Sequence, residues 1–266
     1  MESRMSLHRA AMDGVSVIIP VHNKLEVTVK CLAQIQDLNL NGSYEIIVVD
    51  NGSTDATAEA LSFRGDIIYL GNRENTGLSK AYNLAAGRAR HEILCFMHND
   101  VFVFERDWLK GMGEFIRRND RCGVVGLYGA KTIRRNGSFR SRTILHAERE
   151  APSLRRESER VAVVDGLLLA MKKQVLLETG GFDEGYSLHY YDKDISMRAL
   201  VRQMHNYVLN IPFEHKAGTS RKAIRDDDRI REEGRLRFIS IWKEYLPADV
   251  STWRERLGYL VSFGRG

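Results

Sequence analysis

Residues 92–103, EILCFMHNDVFV, decide the fold: an apolar run over Ile93, Leu94, Cys95, Phe96 and Met97 stops abruptly at His98, Asn99 and Asp100. A short apolar run bounded by polar residues is the pattern of a strand buried on both faces, which delivers the polar residues to a sheet edge. Open α/β sheets bind ligands at the carboxyl ends of their strands. The expectation is that Asp100 holds a divalent metal there, magnesium or manganese, as a hard carboxylate ligand. His98 is either a further ligand or a polar residue that ends the strand.

Upstream, three more runs share this character: residues 15–20 (VSVIIP), 44–49 (YEIIVV) and 66–70. Between them Val27, Cys31, Leu32 and Ile35 recur at helical spacing, a helix is expected over residues 56–61, and Leu78, Tyr82, Leu84 and Ala85 mark another that Gly87 ends. Strands alternating with helices predict an α/β fold with a Rossmann-like, mostly parallel central sheet flanked by helices. Downstream, Trp108, Met112, Phe115 and Ile116 give an amphipathic helix, residues 123–127 a strand, and residues 161–171 an apolar run interrupted by Asp165-Gly166. A short helix then ends at Gly180-Gly181, residues 182–191 look irregular, and residues 193–204 look helical. A strand over residues 207–211, a polar loop over 213–220 and a charged helix over 221–246 complete the chain. The expected organisation is a disordered leader over 1–14, one domain over 15–220, and a C-terminal helical extension over 221–266 packed on the same domain.

With 266 residues, 43% of them hydrophobic, the chain can bury a substantial core. Forty basic residues against 35 acidic ones leave a net charge of +5, which suits anionic ligands such as nucleotides, phosphates or lipid head groups and does not call for nucleic acid. Arginines crowd residues 134–160, read as a mobile basic loop and the point of peripheral membrane contact. Cys31, Cys95 and Cys122 are odd in number and set among apolar residues, so buried reduced thiols are expected rather than a disulfide or zinc site. Reduced thiols place the expected location in the cytoplasm, with contact at the inner face of the membrane. No apolar stretch approaches the roughly 20 residues of a spanning helix. A P-loop, a Gly-rich dinucleotide fingerprint, a paired-histidine zinc helix and a nucleophile elbow are all absent.

Three more positions carry candidate chemistry. Asp50 and Asp55 flank a Gly-Ser-Thr turn at a strand end, where a carboxylate accepts from a nucleobase imide or a ribose hydroxyl, or simply caps a helix. Asp192 and Asp194 stand at a helix start that also carries Arg198; capping explains one of them, and a general base explains the pair better. His215 is a metal or phosphate ligand, or a polar surface residue.

The order and spacing of these pieces resemble the inverting glycosyltransferases of family 2, which have the GT-A fold. The resemblance spans residues 15–220. It rests on VSVIIPVHN (15–23), VVDNGSTD (48–55), NTGLSKAYN (75–83), the strand ending in Asp100, GGFDE (180–184), Asp192-Lys193-Asp194 with Arg198, and His215 with Ser220. It implies that Pro20, Asn23 and Asp50 line the base and ribose of a nucleoside-diphosphate sugar, with Asp50 accepting from a uracil or thymine imide. Asn75, Gly77, Asn83, His98 and Arg198 would also serve the donor. It further implies that Asp100 binds Mn2+ or Mg2+ with His215 as second ligand, and that Asp192 is the catalytic base, with Asp194 its rival. The acceptor would be a glycan, lipid-linked or polysaccharide, in cell-surface polysaccharide or glycan synthesis. Two residues depart from the family pattern: His98 stands where the metal motif has its first aspartate, and Tyr191 where the base motif has a glutamate. They keep open a catalytically degenerate nucleotide-sugar binding module. A sugar-phosphate nucleotidyltransferase would need a Gly-rich, Lys-bearing loop after the first strand, which residues 21–25 lack.

Overall fold

The apolar runs at the start of the chain form the parallel half of a single sheet. The computed structural model describes residues 14–139, 143–144, 156–216, 226–253 and 255. Strands β1 (Val15–Val21), β2 (Tyr44–Asn51), β3 (Ile68–Asn72) and β4 (Ile93–Met97) alternate with helices α1 (Leu25–Leu38), α2 (Thr57–Leu61) and α3 (Leu78–Arg88). Then come β5 (Val101–Val103), α4 (Trp108–Arg118), β6 (Cys122–Gly126), β7 (Gly129–Ala130), β8 (Thr132–Ile133), β9 (Thr143–Ile144), β10 (Ser158–Val161), β11 (Val163–Val164) and β12 (Leu168–Lys172). The chain continues through α5 (Lys173–Thr179), α6 (Tyr191–Val201), β13 (His205–Leu209), β14 (Phe213–His215), α7 (Asp227–Trp242) and β15 (Ala248–Asp249).

The main sheet runs β10-β13-β6-β12-β4-β1-β2-β3. β1 is parallel to β2 and β4, β2 to β3, and β6 to β13, whereas β12 is antiparallel to both β4 and β6. Helices cover both faces, which is why β1 and β4 are buried along their whole length. Alternate residues feed opposite layers: Ile18, Ile47, Phe96 and Leu169 pack with Tyr82 and Tyr191, and Val17, Ile19, Cys95 and Leu168 pack with Trp108 and Ile116. The three cysteines are buried free thiols. No helix among the described residues is long and apolar enough to cross a membrane.

The structure differs from expectation in several elements. Gly87 lies inside α3, which ends at Arg88. The helix expected from residue 193 begins at Tyr191, so both Asp192 and Asp194 lie in its first turn. The strand expected over 207–211 is shifted to His205–Leu209. The loop expected from residue 213 begins as β14, because the buried Phe213 anchors three residues against β5, with His215 opposite Val101. Within the expected basic loop, residues 134–138 form a tight turn and residues 158–161 are β10, while 140–142 and 145–155 lie outside the described residues. The expected leader lies outside them as well, except for Gly14, where a Cβ would fall 2.6 Å from both the His91 ring and the Ser43 carbonyl. Of the charged helix expected over 221–246, the described residues form α7, whose Phe238 and Trp242 are buried in the core, followed by a 3-10 turn over Lys243–Tyr245.

Candidate functional site

At the carboxyl ends of β1 and β2 two loops interlock. Asn23 adopts a left-handed backbone (φ 61°), accepts N–H groups from Thr54 (2.7 Å) and Asp55 (3.2 Å) on its side-chain oxygen, and donates its own N–H to Ser53 Oγ (2.7 Å). Pro20 completes the buried end of β1 beside Val49. Asp50 is buried; Oδ1 accepts the Ser53 N–H at 2.9 Å and Oδ2 the Tyr69 hydroxyl at 2.7 Å. Burial, and then the Asp50 carboxylate, hold the Tyr69 hydroxyl well above the usual tyrosine range. Tyr69 carries no motif, but the register gives it away: Asp50 pairs with Gly71 across β2 and β3, two residues from Tyr69 on the same face.

Asn51 ties the next loop in. Its Oδ1 accepts from Asn72 Nδ2 and the Thr76 N–H, both at 3.0 Å, and its Nδ2 donates to Asn75 Oδ1 at 2.9 Å. Asn75 also accepts the Gly77 N–H at 3.0 Å. Gly77 sits at φ +85°, with an added Cβ 2.9 Å from the Ser187 carbonyl, so close backbone approach explains the glycine. Asn83 turns elsewhere: it donates to the Phe182 carbonyl (2.9 Å) and Glu184 (3.1 Å) and accepts the Phe182 N–H (2.9 Å), clasping 182–184 to α3.

One strand further along, β4 delivers His98 and Asp100, and the pairing of β14 with β5 brings in His215. Ligand atoms of these three residues lie within 4.8 Å of one another. His215 Nε2 is 3.3 Å from Asp100 Oδ1, yet that buried oxygen receives no well-formed hydrogen bond. Burial pushes the Asp100 carboxyl up, but His215 and His98 outweigh it and hold the group below the usual carboxylate range. A buried, ionised oxygen without a hydrogen bond, faced by two imidazoles, fits a divalent cation.

The third part of the site is the start of α6. Asp192 is half-buried and accepts the Gly166 N–H on Oδ2 at 2.9 Å and the Lys193 N–H on Oδ1 at 2.8 Å. Asp194 is 1% exposed, with Oδ2 on Arg198 Nε at 2.6 Å and Oδ1 on Trp242 Nε1 at 2.8 Å. Burial holds its carboxyl above the usual range despite both donors. Arg198 also donates to the Thr179 carbonyl (3.1 Å) and lies 3.5 Å from Asp183. The structure therefore groups Arg198 with Asp194, and Asp192 with Gly166. Tyr191, singled out in the sequence only as a replacement for glutamate, joins the halves: its buried hydroxyl lies 3.1 Å from His98 Nε2 and 3.1 Å from the Gly166 carbonyl.

Residues 16–176 match the model of a family described as Glycosyl transferase family 2. An uncharacterized glycosyltransferase, YfnE of Bacillus subtilis, is 37% identical over 91 residues, 33% of this chain and 23% of the relative. The poly-beta-1,6-N-acetyl-D-glucosamine synthase of Staphylococcus aureus is 25% identical over 179 residues, 65% of this chain and 42% of that protein. The chain thus spans less than half the length of these relatives. In fold it is similar to GalNAc-T7 solved with UDP, GalNAc and Mn2+ (TM-score 0.64, 17% identity, 76% of this chain and 43% of that one). It is also similar to a mannosyltransferase from Pyrobaculum calidifontis in complex with GDP-Man and Mn2+ (TM-score 0.54, 20% identity, 77% and 58%).

Proposed function

The chain belongs to glycosyl transferase family 2 and has the GT-A fold, and from that premise we propose that it transfers a sugar from a UDP- or dTDP-linked donor to an acceptor hydroxyl with inversion. The observation that carries this reading is the unbroken path from the cation site through His98, Tyr191 and Gly166 to Asp192. Asp50, at the end of β2, accepts from the imide N–H of a uracil or thymine base, with Pro20 and Asn23 shaping the loop around it. Asp100, His98 and His215 would hold Mn2+ or Mg2+, which when bound would supply positive charge for the diphosphate leaving group. Asp192 takes the proton from the acceptor hydroxyl as that oxygen attacks the anomeric carbon from the face opposite the diphosphate. The enclosure of Asp194 by Arg198 and Trp242 supports Asp192 as the proton acceptor.

The acceptor in this reading is a glycan, lipid-linked or polysaccharide, and the named activity of the S. aureus relative favours polysaccharide synthesis. A cytoplasmic location with contact at the inner membrane face through residues 134–160 belongs to the same proposal. The test is nucleoside-diphosphate release from a panel of UDP-, dTDP- and GDP-sugars, with Mn2+ and with chelator. Release with uridine or thymidine donors that stops with chelator is expected. Donor binding without release from any of them would overturn the transferase reading in favour of a binding module, the outcome that His98 and Tyr191 keep open.

A further inference from the structure

Tyr191 is part of the cation site's scaffolding. Its ring packs on Tyr82 (centroids 5.7 Å apart) and Phe182 (6.0 Å), so it has little freedom to turn. A carbonyl oxygen can only accept, so the hydroxyl gives its single proton to the Gly166 carbonyl and accepts from His98 Nε2. That arrangement puts a proton on Nε2 of His98, so a metal ion would take the ring through Nδ1. The His98 backbone is tied to the same turn, its N–H donating to the Leu167 carbonyl at 3.0 Å. Gly166 has no room for a side chain: a Cβ there would fall 2.2 Å from the Tyr191 hydroxyl oxygen and 3.3 Å from Asp192 Cβ.

We propose that Tyr191 is a positioning residue that holds His98 as a nitrogen ligand through Nδ1, making a centre of two imidazoles and one carboxylate that selects Mn2+ over Mg2+. This deepens the proposed function and rests on it for the role of the cation. Mg2+ demands a near-ideal shell of oxygens and gives up water reluctantly, whereas imidazole suits first-row transition ions. Groups that orient a ligating histidine typically contribute about 10–100-fold in metal affinity.

The test titrates the full chain with Mn2+ alone, following free ion by electron paramagnetic resonance and ligating nitrogen by electron spin-echo modulation, with Mg2+ as competitor. No donor sugar is present, so the result is independent of whether transfer occurs. The wild-type chain is expected to show imidazole nitrogen modulation and to retain Mn2+ in the presence of excess Mg2+. Tyr191→Phe, which removes only the hydroxyl, is expected to lose about 10–100-fold in Mn2+ affinity and part of the nitrogen signal, with Mg2+ affinity little changed. His98→Asp should bring the two affinities together, and Tyr191→Phe added to it should have no further effect. Wild-type Mn2+ affinity and nitrogen modulation in Tyr191→Phe would overturn the proposal. An unchanged Mn2+ to Mg2+ ratio in His98→Asp would do so alone, even if the Tyr191 variant failed to fold. Absence of Mn2+ binding by the wild-type chain would also overturn it, and the nucleotide-release panel would then judge the transferase reading separately.

Discussion

Asp192 and Asp194 are separated by a single lysine and differ in everything that decides what a carboxylate does. Asp192 is half-buried and held by two backbone N–H groups; Asp194 is enclosed between a guanidinium and an indole. Asp192→Asn is expected to lower turnover by about 10²–10⁴-fold, far more than the small drop in thermal midpoint from its one lost backbone hydrogen bond. Asp194→Asn is expected to shift the midpoint downward; steady-state assays paired with thermal melts separate the two, and a reversed pattern would exchange their roles. Both aspartates were legible in the sequence because they break a helical pattern at its start. Asn51, Tyr69 and the hydroxyl of Tyr191 were not, because their partners lie across strand register or 25 residues away at Gly166. Pattern periodicity reports which face a residue shares, not which side chain waits on the next strand.

At the scale of elements, the end of the β-sheet opposite the site is fastened by Glu45. The Ser16 hydroxyl and the Arg90 N–H reach its Oε1 at 2.6 Å each, and the Arg90 guanidinium reaches Oε2 at 2.7 Å, so one carboxylate joins β1, β2 and the approach to β4. Burial pushes the Glu45 carboxyl up, but these donors outweigh it and hold the group below the usual glutamate range. A lowered folded value means that the stabilisation is present above the unfolded value of about 4.3 and lost as pH falls through the folded one. Glu45→Gln is therefore expected to cost about 1–3 kcal/mol at neutral pH, with the gap closing below about pH 4. Urea unfolding across that range checks it, and a gap that stays constant into acid would contradict it. The strands and helices here were readable from apolar runs. β14 was not, since three residues reading Phe-Glu-His carry no alternation, and their strand state comes from β5, more than a hundred residues upstream.

For the molecule as a whole, a cation held by Asp100 and His215 would be linked to folding, because β4, β5 and β14 must be assembled before these two residues meet. Mn2+ at about 100 times its dissociation constant is expected to add about 2.7 kcal/mol of stability, seen as a raised midpoint that chelator reverses and Asp100→Ala abolishes. An equal rise in the Asp100 variant would place the ion elsewhere. The alternation of strands and helices revealed the parallel half of the fold. The reversal of β12 between β4 and β6 was hidden, since a strand buried on both faces reads the same in either direction. That reversal brings the turn entering β12, with Gly166, to the site.

The Gly166 residue has a further consequence. Its N–H is committed to Asp192 and its carbonyl to Tyr191, and the flanking peptide planes are stiff plates that turn with little internal give. A tug on Asp192 by one ligand and a tug on His98 by another therefore act on the same short lever. Any coupling between two such ligands through this peptide would have to be equal in both directions, each changing the other's affinity by the same factor.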